Sequence, residues 1–274
     1  MPSIKQIGAR LKSVTSTSKI TKAMKMVAAA KLKRAETTMM NARPFAASAA
    51  SLMEPHIGVK DDEPKPKSNL VLGISSDKGL CGGINSKVVK ELKGMIDKAD
   101  ADSNTDVMLF GSKARDGLSR THSAAFSKTY DEGYKGPVTF SLAAFLAEQM
   151  RASSSETYTI VFNEYKSVIA QEVKAKTFKG PEVLGESGVF DEYEFEGEKE
   201  QVLANLYQFN LACSIYGSML ENVTSENASR MTAMDSASNN AKDMINRLAL
   251  QYNRLRQAKI TTELTEIVAG AESV

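Results

Sequence analysis

The sequence has no tryptophan, two cysteines and two histidines among its 274 residues. Two thiols, Cys81 and Cys213, exclude a disulfide-stapled scaffold and any zinc site built on three or four cysteines. His56 and His122 stand alone, which argues against a multi-histidine metal centre. Long apolar runs are missing too: no stretch approaches the roughly 18 residues that span a bilayer. The opening MPSIKQIGAR has no apolar h-region, so neither a signal peptide nor an uncleaved presequence is expected there. The sequence contains no GxxxxGK[ST], GxGxxG, HExxH, CxxC, GxSxG or EF-hand loop. No acid, base and nucleophile come together, so the chain is expected to be no enzyme on its own and to hold no cofactor or metal.

Glycine and proline are absent selectively. No glycine occurs from Ala9 to Ile57, and from Gln201 to Ala269 there is no proline and one glycine, Gly217. Residues 69–200 hold 13 of the 17 glycines. Two helix-permissive arms therefore flank a turn-rich centre, with GVKDDEPKPKSN (58–69) as a linker. The implied division is 1–58, 69–199 and 200–274. Charge is segregated as well. The net +2 is made of +8 in residues 1–58, −4 in 59–199 and −2 in 200–274. A basic arm suits nucleic acid, an anionic membrane or an acidic protein surface, and an ordinary solvated helix face explains it equally well.

The C-terminal arm carries a heptad series: Leu203, Leu206, Asn210, Cys213, Gly217, Leu220, Thr224, Asn227, Met231, Met234, Ser238, Ala241, Ile245, Leu248, Tyr252 and Leu255. Eleven of these sixteen are apolar, a 3.5-residue spacing that keeps one stripe against a partner helix. As one helix, 201–270 would be about 105 Å long. The N-terminal arm starts with Ile4, Ile7, Leu11 and Val14, with Ser3 as N-cap. Its apolar stripe then shifts to Ile20, Met24, Val27, Leu32, Ala35 and Met39, which implies a stutter. Pro44 is expected to kink or restart the helix. Neither arm folds alone at such length, so each is the partner of the other in an antiparallel pair.

In the centre, NLVLGISS (69–76) and TDVMLFG (105–111) read as buried strands and 86–99 as an amphipathic helix. SAAFSKTY (123–130) is a third strand, and 136–152 a helix with Pro137 in its first turn. The alternating stretches 156–165 and 167–178 form a closing hairpin. The expected fold class is α/β: a long antiparallel coiled coil of terminal helices plus a central Rossmann-like domain with a mainly parallel sheet. The loop DKGLCGGIN (77–85) has the strand–glycine-rich loop–helix layout of a phosphate site, but a tight turn alone explains Gly79, Gly82 and Gly83. Cys81 reads as a buried small residue rather than a nucleophile. The run FDEYEFEGEKE (190–200) is a solvated loop or a docking edge of Phe190, Tyr193 and Phe195.

Three segments, KITKAMKMVAAAKLKRAE (19–36), SSDKGLCGGIN (75–85) and RMTAMDSASNNAKDMINRLALQYNRLRQAKITTELTEIVAGA (230–271), together resemble the γ subunits of F-type ATP synthases, over essentially the whole chain. The resemblance implies a central rotor shaft inside the hexamer of α and β subunits, with the α/β domain on the c-ring and δ and ε beside it. Its rotation would couple proton flow to ATP synthesis. It implies contacts to α and β at Met24, Lys22, Lys25, Arg230, Gln257 and Thr261. An apolar bearing tip at Leu264, Ile267 and Val268 and a c-ring-facing pair, Tyr193 and Phe195, follow from it too. It implies no nucleic acid as partner and a peripheral place at the mitochondrial inner membrane, matrix side, or at a bacterial plasma membrane, cytoplasmic side. The inserted dithiol of chloroplast members is lacking. A non-rotary coiled-coil scaffold presenting an α/β domain is the alternative; a nucleotide-binding enzyme lacks a phosphate lysine, and a nucleic-acid-binding arm lacks any aromatic before Phe45.

Overall fold

The computed structural model describes residues 3–59, 66–98, 104–182, 190 and 193–272, without the side chains of 52–56 and 272. Much of the linker, Asp191 and Glu192 of the acidic run, and the His56 side chain lie outside the described residues. In chain order the elements are α1 (Ile4–Ile57), β1 (Ser68–Ile74), α2 (Ile84–Asp97), β2 (Asn104–Phe110), α3 (Ser112–Leu118), a 3₁₀ turn (Ser123–Ala125), β3 (Phe126–Tyr130), α4 (Phe140–Arg151), β4 (Thr157–Tyr165), β5 (Gln171–Lys179) and α5 (Lys199–Glu272). They form two compact units: Met1–Ala28 with Met231–Val274, and Ala29–Arg230.

The first unit is a pair of helices. α1 opens with a capping box: the Gln6 N–H donates to Ser3 Oγ at 3.3 Å, and the Ser3 N–H to Gln6 Oε1 at 2.9 Å. The Thr21 and Ser238 hydroxyls are hydrogen-bonded at 2.8 Å, and Lys25 Nζ meets Asp235 Oδ1 at 2.7 Å. Gly8 faces the Tyr252 ring. Partner numbers fall as α1 advances, so the helices run antiparallel. Along α5, all sixteen heptad positions are buried or half-buried, as that spacing requires.

α1 departs from its expected stripe. Ile20 and Val27 are 59% and 56% exposed. The inner face runs without a stutter through Leu11, Val14, Ser18, Thr21, Lys25 and Ala28, all buried or half-buried. The polar bonds to Ser238 and Asp235 hold this seam, so hydrophobicity alone misplaces it. Pro44 also fails to interrupt α1, which continues through it to Ile57. Pro44 is exposed on the outer side, while its neighbours keep the inner side engaged. Arg43 Nε donates to Glu221 Oε1 at 2.7 Å, and a Cβ on Gly217 would lie 3.0 Å from the Ala46 methyl.

In the second unit the strands lie in the order β3-β2-β1-β4-β5. β1 pairs in parallel with β2 and β4, β2 in parallel with β3, and β4 antiparallel with β5. Strand alternation divides the core in two. Leu70, Leu72, Ile74, Met108, Phe110, Ile160 and Phe162 pack with α4 and with α5 from Leu203 to Met219. Val71, Val107, Leu109 and Val161 pack with α2 and α3 on the other face. A sheet covered on both faces explains why its strands are near-continuous apolar runs. Two local expectations shift. The stretch 123–130 spends its first three residues in a 3₁₀ turn. α4 begins at Phe140, beyond Pro137, because Thr139 caps it by accepting the Leu142 N–H at 3.4 Å.

From Asn210 to Ala228 no residue of α5 is exposed, because α1 and the sheet enclose this stretch from both sides. Cys213 is fully buried within it, and burial pushes its thiol up to about 11. With the thiolate about a hundredfold scarcer than in an unfolded chain, alkylation of Cys213 near pH 8 is expected to be at least about a hundredfold slower in the native protein. Equal rates for native and denatured protein, followed by mass spectrometry, would contradict this packing.

Candidate functional site

In open α/β sheets, ligands enter the crevice beyond the carboxyl ends of the strands where the strand order reverses. Here that point lies between β1 and β4. It is filled by α5. Asn163, near the end of β4, donates from Nδ2 to Asn222 Oδ1 at 2.8 Å. Asn222 Nδ2 in turn donates to the Ser75 carbonyl beyond β1 at 3.4 Å and to Tyr134 Oη at 3.3 Å. Ser225 Oγ donates to the Asn163 carbonyl at 3.1 Å. Asn163, Asn222 and Ser225 are all buried. Burial also pushes the Tyr134 phenol well above its ordinary value. One turn away, Glu221 accepts the Tyr165 N–H at 2.9 Å and the Arg43 guanidinium, which also donates to the Tyr165 carbonyl at 2.9 Å.

The turn after β1 is closed by a carboxylate. Asp77 accepts the Ser112 N–H at 3.1 Å, the Glu132 N–H at 3.2 Å and the Tyr134 N–H at 3.5 Å. An anion of the protein's own thus ties together the loops beyond β1, β2 and β3. The glycine-rich loop is likewise fastened to α5. Ser229 Oγ donates to the Cys81 carbonyl at 2.6 Å, and Arg230 Nη2 reaches the Gly79 carbonyl at 3.5 Å while pairing with Glu226. Cys81 is buried and its thiol is raised by that burial. Leu80, in the left-handed region at φ 60°, is held 63% exposed at the loop's tip. Beside this loop opens a cleft of about 950 Å³ whose lining includes Lys31, Arg34, Lys78, Arg115 and Arg230. Among the described residues no group of three or more His, Cys, Asp or Glu side chains could hold a metal ion, and no helix is long and apolar enough to cross a membrane.

The residues singled out in the sequence fall on separate surfaces. On α1, Lys22 is exposed, Met24 is half-buried, and Lys25 is engaged by Asp235. Met26, at 61% exposure, and Ile20 and Val27 lie on the outer side with Lys19 and Lys22. Arg230 is turned inward, with its side chain 13% exposed. Gln257, Thr261, Leu264, Ile267 and Val268 belong to a stretch, Arg256 to Ala271, that is exposed at every residue. Its start matches the end of the partner helix: Gly8 of α1 already faces Tyr252, so α1 runs out about one turn later. Tyr193 is exposed, whereas Phe195 packs against the core and under Lys199 Nζ. The sequence reading missed Asp77 and the stripe Ser218, Asn222, Ser225 and Ser229. That stripe was visible as polar positions at helical spacing, offset from the heptad.

Comparison with known proteins covers the same span. Residues 3–274 match the family model described as ATP synthase. The ATP synthase gamma chain of Paramagnetospirillum magneticum is 40% identical, with both chains covered completely. The mitochondrial ATP synthase F(1) complex subunit gamma of Rattus norvegicus is also 40% identical, over 99% of each chain. Among solved structures, a chain of the Tetrahymena thermophila mitochondrial ATP synthase central stalk and c-ring is 31% identical, with a TM-score of 0.69, over 80% of this chain and 99% of that one. A chain of the Euglena gracilis mitochondrial ATP synthase shares the fold at a TM-score of 0.84 and 19% identity, over 98% of this chain and 94% of that one.

Replacing Asp77 by Ala removes the acceptor of three backbone N–H groups, those of Ser112, Glu132 and Tyr134. Asp77→Ala is expected to lower stability by about 1–3 kcal/mol in a denaturant titration, and an unchanged midpoint would show that the carboxylate anchors nothing.

Proposed function

This chain belongs to the γ-subunit family of ATP synthase, and from that premise we propose that it works as the enzyme's central rotor shaft, converting c-ring rotation into conformational change in the α and β subunits. The observation that carries this reading is the C-terminal end of α5, where sixteen consecutive residues, 256 to 271, are exposed on every side. Such a bare helix bearing Ile260, Leu264, Ile267 and Val268 needs a sleeve supplied by other chains. The hexamer of α and β subunits is the sleeve that the family relation offers. The chain is a non-catalytic subunit in this reading: its ligand crevice is occupied by its own helix, and its part is mechanical.

The proposed contact to α and β subunits comprises Lys22, Met24, Gln257 and Thr261, extended by Ile20, Met26 and Val27. Leu264, Ile267 and Val268 form the bearing tip. Lys25 and Arg230 act from within, Lys25 by fixing the seam through Asp235 and Arg230 by bracing the loop that presents Leu80. Tyr193 is the proposed c-ring-facing residue, and Phe195 secures its loop to the core. Residues 1–58 and 200–274 are then the shaft and 69–199 the foot, with δ and ε as further neighbours. The mitochondrial γ subunits among the relatives support a mitochondrial setting, and the inner membrane, matrix side and peripheral, is the place we propose. The bacterial relative of equal identity keeps the bacterial plasma membrane as the alternative.

Two experiments test the proposal. Reconstituted with α and β subunits, the chain should turn stepwise on ATP addition, seen through a probe on the α/β domain; binding without rotation would favour a static adaptor. Deleting residues 257–274 should leave the melting of the remaining chain within about 0.5 kcal/mol, since every residue from 257 to 271 is exposed. The same deletion should weaken assembly or torque, and an undiminished complex would remove the bearing role.

A further inference from the structure

We propose that the hydrogen-bonded clasp of Asn163, Asn222 and Ser225 is the joint through which torque passes between the α/β domain and α5, so that these three are positioning residues for energy coupling. The inference rests on the rotor reading above. The remaining contact between α5 and the sheet, from Leu203 to Met219, is mainly apolar, with Tyr207 Oη donating to the Lys179 carbonyl at 2.8 Å near one end and Glu221 accepting the Tyr165 N–H just beyond the other. Apolar ridges resist separation, but they constrain rotation of a helix about its own axis weakly, because neighbouring packing angles differ little in buried area. Directional hydrogen bonds behave differently. Asn222, Ser225 and Ser229 lie on one face of α5 at helical spacing. They bond, respectively, to the Ser75 carbonyl beyond β1, to the Asn163 carbonyl on β4 and to the Cys81 carbonyl in the loop before α2. Turning α5 against the sheet would break all of these bonds together.

The chemistry of the clasp fits a locking role better than a purely stabilising one. Asn163 and Asn222 are 1% exposed each, and Asn163 Oδ1 has no hydrogen-bond partner among the described residues. Apolar side chains of similar volume would fill the same space without that unsatisfied oxygen. Polar groups in such a place select one arrangement among several that pack equally well. Here the selected quantity is the angle of α5 about its axis. The clasp sits where the strand order reverses, so one helix face holds both halves of the sheet, β1 on one side and β4 on the other.

The test uses the complete reconstituted enzyme in vesicles, carrying Asn163→Leu with Asn222→Leu, and separately Ser225→Ala. The double change keeps the heavy-atom count of both side chains and leaves no half of the amide pair behind. Both variants are expected to assemble and hydrolyse ATP while pumping fewer protons per ATP than wild type, with the deficit growing as the opposing proton gradient rises. Hydrogen exchange at the end of β4 should quicken about tenfold in the double variant, the effect of removing roughly 1.4 kcal/mol of bonding. Wild-type pumping per ATP at every gradient, in a double variant that assembles, would overturn the joint. If the double variant does not assemble, Ser225→Ala decides the question by the same ratio. Failure of the wild-type chain itself to support pumping would instead refute the rotor reading.

Discussion

Between Asn210 and Ala228, α5 has to be interior on every side, and most of the second unit follows from that requirement. An isolated helix this long is sustained by packing rather than propensity, and here two partners compete for its circumference. α1 takes the heptad face and the sheet takes the other. Close approach demands small residues, which is why Gly217 meets Ala46 at a distance that leaves no room for a larger side chain. Interior placement also demands that polar atoms find partners. The strand ends supply carbonyls, and Asn222 and Ser225 answer them. Helix, sheet and seam are therefore one packing problem with one solution.

That solution fills the crevice beyond the strand ends. Both faces of the sheet are covered, the crevice at β1 and β4 holds α5, and Asp77 occupies the convergent N–H groups beyond the strand ends. Exposed apolar side chains lie instead on the outer side of α1, on the loop tip at Leu80 and on the end of α5. A basic arm that looks undifferentiated by charge count is divided by the structure. Lys25 is neutralised across the seam, while Lys19 and Lys22 stay outward beside apolar neighbours.

Much of this was legible in the sequence where one kind of force decides. The heptad of α5 and the parallel sheet with its antiparallel edge are written in apolar spacing, and apolar burial produces them. The seam of α1 was not, because Thr21 and Lys25 are drawn inward by Ser238 and Asp235, residues more than two hundred positions away, and Ile20 and Val27 are turned outward as a result. Pro44 misleads for a related reason: tertiary contacts at Arg43 and Ala46 override a local preference. Thr139 outranks Pro137 because a capping bond fixes a helix start and a fixed φ only permits one. Of the residues singled out by the motifs, Lys22, Gln257, Thr261 and Leu264 are exposed, whereas Phe195 and Arg230 turn inward. The clasp escaped notice because Asn222 meets partners 59 and 147 positions away, and a single sequence does not reveal such pairs.

The box at Ser3 and Gln6 ends α1 sharply, while α5 runs on alone. One helix with its side chains is about 10–12 Å across, and two side by side are nearly double that. The step from one width to two makes a shoulder. A socket gauged for a single helix would admit α5 for about 24 Å and then stop against the capped end of α1. Insertion depth would thus be set by where a second helix begins, with no residue at the very tip needed to sense the bottom of the hole.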